Sequence, residues 1–459
     1  MQATARPLLT PPTPALGMAF AERHKSLHLV GGPVRDMLLD RRTHDLDFTT
    51  DAPPPEIKRL LDRAGADSIF AIGEKFGTIG GVFGDTIVEI TTYRSERYEP
   101  GSRKPSVEFG TSLVGDLGRR DFTVNAMAID VATGELADPF GGRDDLARQE
   151  IRAVGDPAER FAEDPLRLLR AVRFVAQLGF AIEPATRRAI EQGAGALAGI
   201  SRERVAQELS KILVSERAGR ALRLLCDLGL MGHVIPDVLE MRGMRQDVYH
   251  HKDVFEHTLQ VIDQAPNRPI VRWSALLHDI AKPRTRSVEH GEVHFFGHER
   301  LGEGMARRIL AGLKLDTSTI DRVGLLVGLH QRANTYEDDW TDGAVRRFMR
   351  EAGDALDDLL DLSAADVTSR RPDRIRAAAG RVVALRERIA AVRAREDVAK
   401  LASPIDGNEL MALAERGPGP WIRPIKERLL AAVLDGELAP DDRAGATELA
   451  RRLLAELGE

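Results

Sequence analysis

Gly31-Gly32 and Asp45-Leu46-Asp47 lie within seventeen residues of one another. The glycines follow a short apolar run, Leu27-His28-Leu29-Val30, and precede Pro33-Val34-Arg35-Asp36-Met37-Leu38-Leu39, which has helical character. Glycine permits positive φ and close approach of a ligand to the backbone. Proline suits the first helical position, and a phosphate can sit on the free N–H groups there, with Arg35 one turn in. By itself such a pair marks only a tight strand–helix turn. In a strand, residues two apart face the same way, so Asp45 and Asp47 are expected to point together. Two such carboxylates repel unless a cation sits between them. Mg²⁺ bridging a nucleoside triphosphate supplies that charge. The combination therefore reads as a triphosphate cradle beside a metal pair. Glu89, in the strand-like run Ile87-Val88-Glu89-Ile90, is a candidate third carboxylate.

A second group of ligating residues lies further along. Eight of the twelve histidines fall between His250 and His330. His257, His278-Asp279, His298, His330 and Asp366 each follow an apolar run, and Lys282 stands three residues after Asp279. One such histidine is ordinarily a hydrogen-bonded core residue. Several charged or ligating groups tucked behind apolar side chains are costly to bury without a metal. Imidazole with carboxylate suits Mn²⁺, Ni²⁺, Mg²⁺ or Fe.

These residues need a scaffold, and the composition sets its limits. The chain has 459 residues, 43% apolar and 30% charged, as in ordinary globular proteins. Its length predicts several domains. It has no apolar run of ~18 residues that would make a transmembrane helix. Cys226 is the only cysteine, which excludes an intrachain disulfide framework and a thiolate zinc cluster. A cytoplasmic address is expected. Residues 1–19, rich in Pro and Thr at the start, read as a disordered tail. Short apolar runs at 27–30, 48–50, 79–83, 87–92 and 126–131, separated by Gly, Asp and Pro, predict strands mixed with a few helices up to about residue 150. From there on the apolar spacing is helical, as in Leu166, Leu169, Val172 and Val175. The net charge of −6 argues against a general nucleic-acid coat protein. Between Arg160 and Arg223, however, 12 basic and 7 acidic residues make a local +5. Such a phosphate-binding stretch on an otherwise acidic chain suits transient engagement of a polyanion.

Gly31 to Leu39 with Asp45-Leu46-Asp47-Phe48 resembles the signature of the class II tRNA nucleotidyltransferase/poly(A) polymerase family, a branch of the DNA polymerase β superfamily. Further family blocks occur in order. Arg119-Arg120-Asp121-Phe122-Thr123-Val124-Asn125-Ala126 resembles the ribose-reading block, and Asp138-Pro139-Phe140-Gly141-Gly142 the hinge block. Glu163-Asp164-Pro165-Leu166-Arg167-Leu168-Leu169-Arg170-Ala171-Val172-Arg173-Phe174 resembles the base-reading helix, and Arg94 to Phe109 the flexible loop. The resemblance implies Asp45 and Asp47 as catalytic Mg²⁺ ligands. It implies nucleotide contacts from Gly32, Arg35, Arg120, Asp121, Asn125, Asp164, Arg167, Arg170 and Arg173. The reaction would be attack of a tRNA 3′-OH on the α-phosphorus of CTP or ATP, releasing pyrophosphate.

The selectivity has a chemical logic. Cytosine and adenine each present an exocyclic amino donor beside a ring-nitrogen acceptor. A carboxylate at Asp164 accepts from the first, and the guanidinium of Arg167 donates to the second. Uracil and guanine invert both groups, and each buried mismatch costs ~1–3 kcal/mol. Asp164, Arg167, Arg170 and Arg173, three apart, are expected on one side of a single helix. A solvated basic stripe is the plainer reading of that spacing.

The histidine segment resembles an HD-superfamily phosphohydrolase domain. The resemblance implies His257, His278, Asp279 and Asp366 as ligands of a divalent transition metal or Mg²⁺, with His298 and His330 where two-metal members carry extra ligands. Pro404 to Leu438 resembles the tail helices of these enzymes, expected at the tRNA elbow, although Arg423-Pro424 departs from the usual glycine-containing helix start.

The expected architecture is multidomain. A disordered tail (1–19) precedes an α/β nucleotidyltransferase head of DNA polymerase β type (20–150). An all-α neck with the base-reading helix (151–240), an HD domain (241–372) and a helical linker and tail (373–459) follow. The expected partners are tRNA, CTP and ATP, with no membrane. The expected function is addition of C, C and A to tRNA, with accessory HD phosphohydrolase activity. Rivals are a poly(A) polymerase, an enzyme adding only CC or only A, and an HD phosphohydrolase whose head merely binds tRNA.

Overall fold

The computed structural model describes residues 10–41, 46–73, 77–97, 106–110, 112–244, 253–290, 292–337, 339–367, 372–395 and 401–456. The chain divides into two compact units, 1–236 and 237–459.

The first unit is built on strands β1 (Leu27–Val30), β2 (Leu46–Thr50), β3 (Ser68–Gly73), β4 (Thr78–Phe83), β5 (Thr86–Thr92), β6 (Arg94–Arg97), β7 (Ser106–Phe109), β8 (Ala128–Asp130) and β9 (Leu136–Ala137). Seven form one sheet in the order β3-β4-β5-β2-β1-β8-β9. β1 runs antiparallel to β2, with Leu29 opposite Phe48, so the Gly31 end of β1 adjoins the start of β2. β2 and β5 are parallel. Val88 and Ile90 of β5 alternate with less buried residues, whereas Leu29-Val30 of β1 and Phe48-Thr49-Thr50 of β2 are buried at successive positions, as in strands covered on both faces. β6 and β7 pair as an antiparallel ribbon, Arg94 opposite Phe109. The segment expected as a flexible loop therefore begins and ends as strand, and its middle lies outside the described residues.

Helices α1 (Thr13–Ala21), α2 (Gly32–Leu38), α3 (Pro54–Arg63), α4 (Leu113–Gly118) and α5 (Gly142–Arg148) accompany the sheet. α1 corrects one expectation. Composition predicts a disordered tail over 1–19, but residues 13–19 form helix, with Leu16 and Phe20 fully buried. The reason is an i,i+4 apolar pair, which a composition rich in Pro and Thr conceals. The neck comprises α6 (Pro157–Glu163), α7 (Leu166–Leu178), α8 (Pro184–Gly193), α9 (Arg202–Leu213), α10 (Ala218–Asp227) and the one-turn α11 (Met231–Val234). It is not all helix: β10 (Glu150–Ile151) and β11 (Ala181–Ile182) form a short parallel pair, which satisfies backbone groups where the chain enters α8.

The second unit holds α12 (Val254–Gln264), α13 (Pro269–Leu277), α14 (Lys282–Thr285), the hairpin β12 (Ser287–Glu289) and β13 (Glu292–His294), α15 (His298–Gly312), α16 (Thr317–Asn334), α17 (Asp342–Ala352), α18 (Leu356–Ala365) and α19 (Pro372–Arg395). α16 is central and packs against α13, α15 and α18. α20 (Gly407–Ala414), α21 (Ile422–Asp435) and α22 (Arg443–Glu456) enclose a small core of their own around Leu410, Ile425 and Leu429. α21 packs on α17 through Gly343, where a Cβ would lie 2.8 Å from the Asp435 Cα. Pro424 falls in the first turn of α21, where its missing N–H costs nothing. Among the described residues no helix is long and apolar enough to cross a membrane.

Candidate active site and metal centre

The turn at Gly31 leads from β1 straight into α2. Gly31 has φ +76°, and a Cβ there would come within 2.8 Å of Arg120 Nη1 and 4.0 Å of Asp47 Oδ2. Glycine is required on both counts. Asp47, half-buried on β2, thus stands beside the glycine turn. Asp45 lies outside the described residues. Glu89 is the register partner of Asp47 on β5 but is not among the residues lining the cavity described next.

A cavity of about 850 Å³ opens here. Gly32, Arg35, Asp47, Arg120, Asp121, Asn125, Asp164, Arg167, Arg170 and Arg173, all expected from sequence, line it together. Arg94, Arg119, Phe174, Gln177, Arg204 and Lys211 line it as well. Among the described residues, nine basic side chains face three carboxylates there, which is an anion-binding balance.

The arginines are held by specific partners. Arg35 donates to Asn125 Oδ1 at 2.8 Å and to Asp36. Arg170 grips Asp121 Oδ2, with Nε at 2.7 Å. Burial would raise the Asp121 carboxyl, but the charge of Arg170 and hydrogen bonds from Asn125 and the Phe122 N–H outweigh it and hold the group below the usual carboxylate range. Arg173 donates to buried Glu208 at 3.1 Å. Arg119 is clasped by Asp116, with Nε at 3.0 Å and Nη2 at 2.9 Å.

Sequence reasoning misses Asp116. It is fully buried, and it also takes Thr49 Oγ1 at 3.3 Å and lies 3.7 Å from Arg120 Nη2. It thereby ties the arginines of this block to the Asp47 strand. The available signal is acid-before-base spacing at i,i+3 and i,i+4. Arg204 and Lys211 are missed as well. They lie seven apart on α9 and so share a face.

The expected base-reading helix differs in one respect. Asp164 is not on it. The residue is extended, with φ −143° and ψ 99°, and it links α6 to α7. Pro165 follows, and a residue before proline is pushed out of the α region. Asp164 accepts from the Leu166 N–H at 3.2 Å and from Arg204 Nη2 at 2.8 Å. Arg167 donates to Glu163 at 2.6 Å and to the carbonyls of Arg160 and Arg119. Nor is the arginine series a solvated stripe: Arg167 and Arg173 are buried.

In the second unit, α12, α13, α15, α16 and the end of α18 converge on the other cluster. His257 Nε2 lies 3.2 Å from His278 Nε2 and 3.0 Å from Asp366 Oδ1. Asp279 divides its oxygens. Its Oδ2 is 3.2 Å from His278 Nε2, whereas its Oδ1 is 3.5 Å from His298 Nε2 and 3.9 Å from His330 Nε2. Two groups result, His257/His278/Asp366 and Asp279/His298/His330, each with its ligand atoms within 4.8 Å of one another. The Nδ1 atoms of His278, His298 and His330 each face a backbone carbonyl three residues earlier, at 2.9, 2.8 and 2.7 Å. A carbonyl can only accept, so each Nδ1 carries a hydrogen and each Nε2 is turned inward, where it can ligate a metal once it carries no proton. That donor set fits divalent metal ions. Burial lowers the His278 pKa, but the charges of Asp279 and Asp366 overcome this and push it up to about 10. Burial, aided by the charge of His278, pulls His330 down to about 4. Against its burial, hydrogen bonds to Asp279 and Asp366 raise the His257 pKa as well, and metal binding displaces protons held in this way.

Comparison with known proteins finds relatives along most of the chain. The model "Poly A polymerase head domain" matches residues 27–152, "Probable RNA and SrmB- binding site of polymerase A" 179–241, and "HD domain" 248–371. The chain is 34% identical over 431 residues to an A-adding tRNA nucleotidyltransferase of Deinococcus radiodurans, covering 91% of this chain and 94% of that one. It is 33% identical over 422 residues to a CCA-adding enzyme of Bacillus licheniformis, covering 91% and 92%. The Bacillus stearothermophilus CCA-adding enzyme, solved in complex with CTP, superposes with a TM-score of 0.72 at 28% identity, covering 98% of this chain and all of that one.

Proposed function

The chain belongs to the tRNA nucleotidyltransferase family of A-adding and CCA-adding enzymes, and on that premise we propose that it adds C, C and A to the 3′ end of tRNA from CTP and ATP. The observation that carries this reading is the cavity in which the glycine turn, Asp47, the ribose-block residues and Asp164/Arg167 meet.

The tRNA 3′-oxygen attacks the α-phosphorus, a P–O bond forms, the bond to the β,γ-phosphates breaks, and pyrophosphate leaves with the electron pair. Asp47, with Asp45, would hold Mg²⁺, which supplies charge stabilisation at the attacking and leaving oxygens. Arg35, Arg170 and Arg173 would bind the phosphates. Arg120 and Asp121 would meet the ribose hydroxyls, with Asn125 orienting Asp121. Asp164 and Arg167 would read the base edge, Arg204 and Glu163 having set their orientation beforehand.

At the second site His257, His278, Asp279, Asp366, His298 and His330 would hold divalent metal, which supplies an activated water for phosphoester hydrolysis. The donor set admits Mn²⁺, Ni²⁺, Fe or Mg²⁺.

The test uses tRNA ending before CCA, given CTP, ATP or both, with products sized at single-nucleotide resolution. Addition of three nucleotides with both substrates is expected, and long A tails would overturn the proposal. The similarity to the A-adding relative supports a second reading, in which extension starts only from a preformed CC end.

A further inference from the structure

Phe174 is 5% exposed and lines the cavity from α7. Three guanidinium groups surround its ring. The Cζ of Arg173 is 4.8 Å from the ring centroid, that of Arg35 5.3 Å and that of Arg170 5.7 Å. Phe122, fully buried, meets the same ring in a T-shaped contact at 5.6 Å and 82°.

Three like charges around one point repel. Each has an acceptor, Asn125 for Arg35, Asp121 for Arg170 and Glu208 for Arg173, and Asn125 in turn donates to Asp121 at 3.1 Å, which links Arg35 to Arg170. The ring is the neighbour that all three share. An aromatic face attracts a cation through its quadrupole and consumes no N–H donor. It can therefore gather the arginines while leaving donors for a ligand, which a carboxylate in the same place would not do. A purely packing role would need an apolar side chain of this size but no ring.

We propose that Phe174 is a positioning residue of the nucleotide site, its ring holding Arg35, Arg170 and Arg173 convergent on the triphosphate. This rests on the reading of the cavity as a nucleoside triphosphate site. Phe174 touches no reacting atom and acts through the three arginines, so it governs binding of the phosphates rather than recognition of the base or the chemical step.

Calorimetric titration of the full chain with adenosine, AMP, ADP and ATP tests it. The parent should bind more tightly with each added phosphate. In Phe174→Leu the ATP dissociation constant should rise roughly tenfold, the scale of a desolvated cation–π contact, while adenosine binding stays as in the parent. In tRNA extension the KM for ATP should rise with kcat unchanged. Phe174→Tyr, which keeps the ring, should restore the phosphate-dependent gain. If Phe174→Leu does not fold, Phe174→Met carries the same comparison. Unchanged ATP affinity in the ring-less variant, or equal losses for adenosine and ATP, overturns the proposal. A parent with no phosphate-dependent gain instead refutes the nucleotide reading of the cavity itself.

Discussion

Asp47 on β2 and Glu89 on β5 are register partners in a parallel pair, so both carboxylates leave the same face of the sheet side by side. Of the two, Asp47 reaches the cavity. They should therefore differ sharply in consequence. Asp47→Asn removes a metal-binding oxygen and should cost at least roughly a thousandfold in addition rate. Glu89→Gln should cost roughly tenfold, the scale of an outer partner. Single-turnover extension rates decide, and equal losses would make Glu89 a direct ligand.

Arg204 holds Asp164 at 2.8 Å from a separate helix. Arg204→Ala should leave the carboxylate free to swing, with the loss showing in discrimination. One hydrogen bond of ~1 kcal/mol corresponds to roughly fivefold. UTP and GTP incorporation relative to CTP and ATP should rise by about that factor, with Arg204→Lys intermediate. An unchanged ratio would leave Arg204 without a part in selectivity.

Two sites in two units should be separable. Asp47→Ala should abolish nucleotide addition and spare metal-dependent phosphoester hydrolysis, and His278→Ala should do the reverse. Loss of both activities from either change, in folded protein, would contradict independent chemistry.

Asp279 divides its oxygens between two ligand groups, so the second unit should take two divalent ions. His298→Ala or His330→Ala should leave one, and His278→Ala should weaken the other. Bound Mn²⁺ per chain, measured by elemental analysis after dialysis, gives the count. Metal at a hundredfold excess over its dissociation constant should add about 2.7 kcal/mol of stability, and chelation should remove it. A count of one in the parent would refute the paired arrangement.

Asp121 titrates below its ordinary value of 3.8 when folded. A depressed carboxyl contributes stability in full above its unfolded value, and that contribution disappears as pH falls through the folded one. Asp121→Asn should therefore cost about 2–3 kcal/mol near neutrality, less than for a fully buried pair because Arg170 is partly exposed. The difference from the parent should shrink below about pH 4. Urea unfolding at pH 7 and pH 3 measures both, and a pH-independent difference would show that packing and not charge is lost.

Local patterns are legible in the residue order alone. The strand carrying Asp47 and the arginines of α7 sit on backbone of fixed period, where spacing alone sets direction, and Gly31-Gly32 mark the turn between β1 and α2 by residue type. Pro165, too, is enough to move Asp164 off the helix, because its effect on the preceding residue is local. The hidden order of α1 is readable as well, since Leu16 and Phe20 are one helical turn apart. What spacing does not carry is distance between elements. That Arg204 from α9 clasps Asp164, that Asp116 gathers Arg119 and Arg120 against the Asp47 strand, and that Phe174 is ringed by three guanidiniums all depend on how helices pack on one another and on the sheet. The histidine cluster shows both limits. Its six members are identifiable by type from His257 to Asp366. Only tertiary packing brings five helices to one point, turns the Nε2 atoms of His278, His298 and His330 inward by anchoring their Nδ1 atoms, and places Asp279 where its two oxygens serve two ligand groups. Secondary structure follows from backbone sterics within a few residues, whereas a site follows from contacts between residues far apart in the chain.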